Sequence, residues 1–203
     1  MENKNKDYKI AIIAGIVTVL FAWPSLKNIQ VGGLYLRLSL FVVVPVLWVF
    51  GLWLGKTLSR WLAFLEQFAK FVVVGFLNTA IDFGVLNLLS ILTGLTSGFL
   101  IGGVNVPGFT LAAVNSYFWN KFWVFSHKRL PGEKVQYNDF FTFALVVIIG
   151  IFINGGIVIL LTTYVNPLFD LNPERWLNVA KASATVLSLI WNFAGFKFLV
   201  FKK

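Results

Sequence analysis

Long apolar runs, separated by short polar or glycine-rich stretches, follow one another along the whole chain. A helix needs about 20 residues to cross an apolar layer about 30 Å thick. On that measure the runs predict six spans: Tyr8 to Trp23, Leu38 to Gly55, Phe68 to Leu92, Val104 to Trp123, Phe140 to Tyr164 and Leu177 to Val200. The first run is the shortest. It follows Lys4, Lys6 and Lys9 and ends in Trp23-Pro24 without a small-x-small cleavage site, so it reads as a retained anchor helix. The stretch GFLIGGVNVPG leads into the fourth span, where Pro107 suits a first helical turn. The segment KTLSRWLAFLEQ, from Lys56 to Gln67, sets basic residues beside Trp61, Phe64 and Leu65 and suits an amphipathic piece lying on the inner face.

Two stretches share an ending. LAAVNSYFWNKFWVF, from Leu111 to Phe125, is echoed by LSLIWNFAGFKFLVF, from Leu187 to Phe201. With an offset of 76 residues, Lys121 meets Lys197, Phe122 meets Phe198, Val124 meets Val200 and Phe125 meets Phe201. The same offset pairs Phe64 with Phe140 and Asn78 with Asn154. Spans three to six therefore read as a duplicated two-helix hairpin. Each unit has an even number of spans, so both copies enter the membrane in the same sense, a parallel repeat. The expected fold is an all-α polytopic transmembrane bundle of about six spans: a two-span extension over residues 1–60 and a four-span core over residues 61–203.

Composition strengthens this picture. The 203 residues are 58% hydrophobic and 12% charged, with a mean hydropathy of +0.82, whereas soluble domains carry about 25% charged residues. Cysteine is absent, which removes disulfide and thiolate chemistry. The net charge of +9 would raise nucleic acid as a partner in a soluble protein. Here the basic residues lie between apolar runs and read as orientation signals, with the bilayer as partner and no nucleic acid. With the N-terminus inside, thirteen of the seventeen Lys and Arg residues fall on the inner side; Lys27, Arg37, Arg175 and Lys181 fall outside. Both termini are expected in the cytoplasm, in a multi-pass plasma-membrane protein.

The candidate chemistry lies in the few polar residues within the spans. Asp82 stands about 12 residues beyond Lys70, or ~18 Å above the inner interface. A carboxylate there costs at least ~2.5 kcal/mol and needs a partner, for which Lys181 is the evident candidate. Asn78 lies one turn before Asp82 on the same face. Asn115, Asn120, Asn154 and Asn192 add amides in the later spans. These suit either a polar path or interhelical hydrogen bonds worth about 1 kcal/mol each. Lys70, Lys121 and Lys197 fall at inner helix ends, where they could collect a phosphate or simply snorkel to the interface. His127 is the sole histidine and sits in the polar loop from His127 to Asp139, too short for a soluble catalytic domain. Neither a Walker loop, an Asp-x-Asp pair, a Ser-His-Asp set nor a Cys/His cluster occurs, so the chain reads as a non-enzyme with no cofactor or metal.

Phe68-Ala-Lys70-Phe71-x-x-x-Gly75-x-x-Asn78-x-x-x-Asp82 resembles the opening of GtrA-like membrane proteins. Asn120-Lys121-Phe122-Trp123-Val124-Phe125, and Trp191-Asn192-Phe193 through Lys197-Phe198-Leu199-Val200-Phe201, resemble the ends of that family's second and fourth helices. The resemblance covers Phe64 to Lys203. It implies translocation of polyprenyl-phosphate-linked sugars for cell-surface polysaccharide or lipid glycosylation, often beside a membrane glycosyltransferase. Under that reading Lys70, Lys121 and Lys197 would hold phosphate, and Asn78, Asp82, Asn115, Asn120, Lys181 and Asn192 would complete the substrate path. The N-terminal hairpin lies outside the resemblance and could serve homo-oligomerisation. Two other readings stay open: a non-transporting anchor or stabilising partner of a polyprenyl-phosphate glycosyltransferase, and a proton-coupled exporter of small cations that would need Asp82.

Overall fold

The computed structural model describes residues 2–30, 32–62, 64–124 and 137–195, without the side chains of residues 2–4, 121, 137–140, 143, 189 and 192–195. Six α-helices follow in order: α1 (Glu2–Asn28), α2 (Leu34–Leu58), α3 (Leu65–Thr93), α4 (Phe99–Trp119), α5 (Tyr137–Tyr164) and α6 (Pro173–Gly195). A π-helical turn over Asn120–Val124 continues α4, and a 3-10 turn over Leu168–Asp170 precedes α6. The described residues contain no strand, and the architecture is a polytopic helical bundle.

Among the described residues, five helical stretches are long and apolar enough to cross a membrane: Asn5–Asn28, Leu34–Leu58, Leu65–Thr93, Phe99–Val124 and Ala144–Tyr164. The sixth expected span corresponds to α6, which falls outside that set although its 23 residues would extend ~35 Å. The reason is its inside-out pattern. Lys181, Ala180, Ala184 and Ser188 are buried, whereas Val179, Val186, Leu187 and Ile190 face outward. A helix that hides a lysine and shows aliphatic side chains is made for apolar surroundings, yet its average hydropathy is depressed by the residues it hides.

Two local expectations change. Pro107 lies inside α4, not in its first turn, because the helix begins at Phe99 within the glycine-rich stretch. Pro24 and Pro45 also lie inside helices. In apolar surroundings the rest of the backbone has no alternative to internal hydrogen bonding, so a helix tolerates the single missing donor. The proposed interfacial segment from Lys56 to Gln67 is divided between the end of α2 and the start of α3. The described part of the connection is a turn, with the Leu62 amide donating to the Leu58 carbonyl at 3.2 Å.

The contacts group the helices into two units. The first takes α1, α2, α3 up to Gly84 and the end of α4 from Leu111; the second takes α3 from Val85, α4 up to Thr110, α5 and α6. Small residues permit close approach in the first unit. A Cβ on Gly15 of α1 would stand 2.6 Å from the Pro45 Cα of α2, and one on Gly84 of α3 would collide with the Phe21 carbonyl of α1. The core of the second unit is Leu86, Ile101, Val158, Leu177 and Ala184. Its indoles are tied to backbone: Trp176 Nε1 donates to the Leu161 carbonyl and Trp191 Nε1 to the Val146 carbonyl, both at 3.0 Å.

Candidate functional site

Among the described residues, each unit holds a polar cluster built around lysine. In the first, four helix ends supply it. Asp7 comes from the start of α1, Lys56 from the last turn of α2, Lys70 from the second turn of α3 and Trp123 from the π-turn after α4. The Asp7 carboxylate accepts from all three donors: Oδ2 from Lys56 Nζ at 2.7 Å and from Lys70 Nζ at 3.0 Å, and Oδ1 from Trp123 Nε1 at 2.8 Å. Lys70 also lies 3.4 Å from Glu66, one turn earlier, and 5.9 Å from the centre of the Trp123 ring. Its side chain is only 3% exposed, so it does not snorkel to water; its charge is met inside the protein. The π-turn shifts the helical register by one residue, a geometry that recurs at functional sites. Here Trp123 is buried with its indole N–H on Asp7.

Further along the first unit, Asn115 Nδ2 donates to Asn78 Oδ1 at 2.7 Å, and Trp119 Nε1 donates to Asn115 Oδ1 at 2.9 Å. These two predicted site residues are therefore brought together. Asn120 turns back on its own helix and donates to the Ser116 carbonyl at 2.8 Å, and its buried Oδ1 has no hydrogen bond among the described residues. Asp82 is buried, 6% exposed.

The second unit is built around Lys181, whose side chain is wholly buried. Its Nζ donates to Asn105 Oδ1 at 2.7 Å and to Asn154 Oδ1 at 2.8 Å. Asn105 Nδ2 also donates to Asn154 Oδ1 at 2.9 Å, and Asn154 Nδ2 donates to Ser188 Oγ at 3.0 Å. Ser188 Oγ donates in turn to the Ala184 carbonyl at 2.7 Å. The Phe109 ring centre lies 5.9 Å from the ammonium, within cation–π range. Every hydrogen bond in this row runs donor to acceptor in one direction, so each polarises the next. In the same unit Asn87 and Asn178 face each other in a reciprocal amide pair, each Nδ2 2.8 Å from the other's Oδ1.

Of the predicted site residues, Lys70, Asn78, Asn115 and Lys181 fall into these arrangements. The side chains of Lys121, Asn192 and Lys197 lie outside the described residues. Asn105, Asn87, Asn178 and Ser188 were not predicted as site residues, nor were Asp7, Lys56 and Trp123. One signal for Asn105 was in the repeat: it precedes Lys181 by 76 residues, the offset that relates Asn78 to Asn154. Asn87 and Asn178 could have been found as amides within otherwise apolar runs. Asp7 carried no signal, because a carboxylate before an apolar run reads as solvated.

Apolar helices enclosing amides and a buried lysine define a polytopic membrane protein with a polar interior. The GtrA/DPMS transmembrane domain model matches residues 70–201, and the chain belongs to that family, which is linked to the handling of polyprenyl-phosphate sugars. Outside the match lie α1 and α2, the source of Asp7 and Lys56. The chain is also similar to the uncharacterized membrane protein YngA of Bacillus subtilis (strain 168), 33% identical over 137 residues, which cover 68% of this chain and 80% of the relative. No solved structure matches it.

Proposed function

We propose that this protein moves polyprenyl-phosphate-linked sugars across the bilayer for glycosylation of cell-surface polysaccharide or lipid. The observation that supports this reading best is the row Lys181, Asn105, Asn154 and Ser188. A sugar leaving water must exchange hydroxyl–water hydrogen bonds for others, and amides and hydroxyls inside an apolar unit offer both donors and acceptors. The ammonium of Lys181 adds a charged donor to this row, of the kind that binds phosphate oxygens. The polyprenyl tail needs no pocket, because the outward faces of the helices are aliphatic and aromatic.

In this reading residues 1–60 are an extension and residues 61–203 a four-span core of two parallel hairpins. Lys70, Lys121 and Lys197 stand at the phosphate end, and Asn78, Asp82, Asn115, Asn120 and Asn192 continue the path. No covalent step is assigned to the chain. Both termini lie in the cytoplasm, as the distribution of lysine and arginine favours.

The test is reconstitution in liposomes with a fluorescent polyprenyl-phosphoryl sugar and measurement of its transfer between leaflets. Lys181→Met is expected to slow transfer by at least about tenfold, the kinetic equivalent of ~1.4 kcal/mol. Combined neutralisation of Lys70, Lys121 and Lys197 is expected to slow it further. Transfer indifferent to both changes overturns the site. No transfer by the wild type, together with co-purification of a membrane glycosyltransferase, replaces transport with the partner role.

A further inference from the structure

We propose that Asp7 occupies, from within the chain, an anion site made by Lys56, Lys70 and Trp123, and that a phosphate group displaces it. The inference rests on the transport reading only for the lipid that carries the phosphate; the site itself rests on geometry. Three donors from three different helices converge on one carboxylate. Two are ammonium groups and the third is an indole N–H, at 2.7, 3.0 and 2.8 Å. Each is largely withdrawn from water: Lys70 is 3% exposed, Lys56 12% and Asp7 13%. Fixed, desolvated donors arranged around one anion also suit another anion of similar size, and a phosphate offers more oxygens and at least equal charge.

Lys56 and Lys70 face Asp7 directly, while Glu66 reaches only Lys70, at 3.4 Å, and is 39% exposed. The two ammonium groups are matched by two carboxylates, Asp7 and the more exposed Glu66, so a phosphate that takes the place of Asp7 must supply its negative charge, as a monoester or a diester does. Lys56 also sits 4.9 Å from the Tyr8 ring centre, within cation–π range. The origin of the parts fits a displaceable element. Lys70 and Trp123 belong to the matched family region, whereas Asp7 and Lys56 come from the helices that precede it. All four lie at helix ends that the charge distribution assigns to the cytoplasmic side, where the phosphate of a lipid would be.

The experiment uses the full chain in phosphatidylcholine nanodiscs with three probes: farnesyl phosphate, farnesol and inorganic phosphate. Asp7→Asn keeps the shape and a hydrogen-bond acceptor while removing the competing charge. It is expected to bind farnesyl phosphate about tenfold more tightly than the wild type, a change of ~1.4 kcal/mol. Farnesol should bind equally to both, and Lys70→Gln in the Asp7→Asn background should abolish the gain. A gain for inorganic phosphate as well assigns the site to phosphate in general; a gain for farnesyl phosphate alone assigns it to the lipid headgroup. Equal or weaker binding of farnesyl phosphate by a folded Asp7→Asn protein overturns the proposal and leaves Asp7 as a structural latch. A second readout needs no variant. Farnesyl phosphate should speed hydrogen exchange at the start of α1 in the wild type, and unchanged protection there also overturns it. Failure here is separable from failure of the transport reading, because liposome transfer by the wild type is measured independently of the Asp7→Asn gain.

Discussion

The two polar clusters solve one problem, charge in apolar surroundings, in different ways. In the first unit lysines are met by an opposite charge: Asp7 receives Lys56 and Lys70 close to helix ends. In the second, Lys181 is bonded to the oxygens of two amides deep within the unit. An ion pair cancels charge and fastens the parts that carry it. An amide cage solvates a charge through oriented dipoles, as the two oxygens on Lys181 do. The first arrangement suits a fastening that an anion can compete for, and the second suits an interior that receives a polar or anionic group.

The largest effect is expected where the cage is broken on one side. Asn154→Leu removes an acceptor shared by Lys181 and Asn105 and the donor to Ser188, leaving a buried ammonium with one of its two amide oxygens. Loss of one partner of a buried charge is far more costly than loss of both, and the expected destabilisation is about 3 kcal/mol. Chemical unfolding in detergent micelles measures it. Adding Lys181→Met should recover part of that loss, giving a coupling of about 1–3 kcal/mol in a double-mutant cycle. A coupling near zero would mean that the amides do not solvate Lys181, and the contrast between the clusters would fail.

A smaller effect is expected in the first unit. Asp7→Asn leaves Lys56, 12% exposed, and Lys70, 3% exposed, facing a neutral amide. The expected loss is about 1–2 kcal/mol, below that for Asn154→Leu because the group is less deeply buried. Ionic strength sharpens the difference. Raising salt from about 0.1 M to about 1 M shortens the screening length from ~10 Å to ~3 Å. The Asp7 contribution should shrink over that range, while the Asn154–Lys181 coupling should stay constant. Equal salt dependence of the two would show them to be the same kind of contact.

This difference also explains what could be read before the structure was known. Five spans were legible because a long apolar run with few charges has little choice but to be a membrane helix. The second unit's chemistry was partly legible for the same reason: Lys181 and Asn154 stand out against aliphatic neighbours, and an intramembrane polar residue must find partners. What escaped was the identity of those partners. Asn105 was hidden in a glycine-rich stretch that reads as a lead-in to a helix, whereas α4 already begins at Phe99. The cluster at Asp7 escaped because its bonds reach across 49 residues to Lys56 and 116 residues to Trp123. Nothing in local pattern distinguishes a carboxylate that will be enclosed by other helices from one that stays in water. The sixth span was also expected, from Leu177 to Val200, but α6 carries Glu174 and Arg175 in its first turn and buries Lys181 and Ser188, which lowers its hydropathy over a span length below that of the other five.

Helix packing differs between the two units as well. Gly15 of α1 meets the backbone of Pro45 on α2, where an added Cβ would lie 2.6 Å from Cα and 2.8 Å from N. Neither atom can move without shifting a whole helix, so Gly15→Ala should cost about 1–3 kcal/mol. Gly102 of α4 instead meets the Cδ1 and Cγ1 atoms of Ile159 on α5, the far end of a side chain that can change rotamer. Gly102→Ala should therefore cost less, under about 1 kcal/mol, because a new methyl can be accommodated when its neighbour repacks. Unfolding both variants under identical micelle conditions decides the order. If Gly102→Ala proves the more costly, Ile159 is held in place by its surroundings. The second unit would then be the more rigidly packed of the two, and its amide row a preformed site more than an adaptable one.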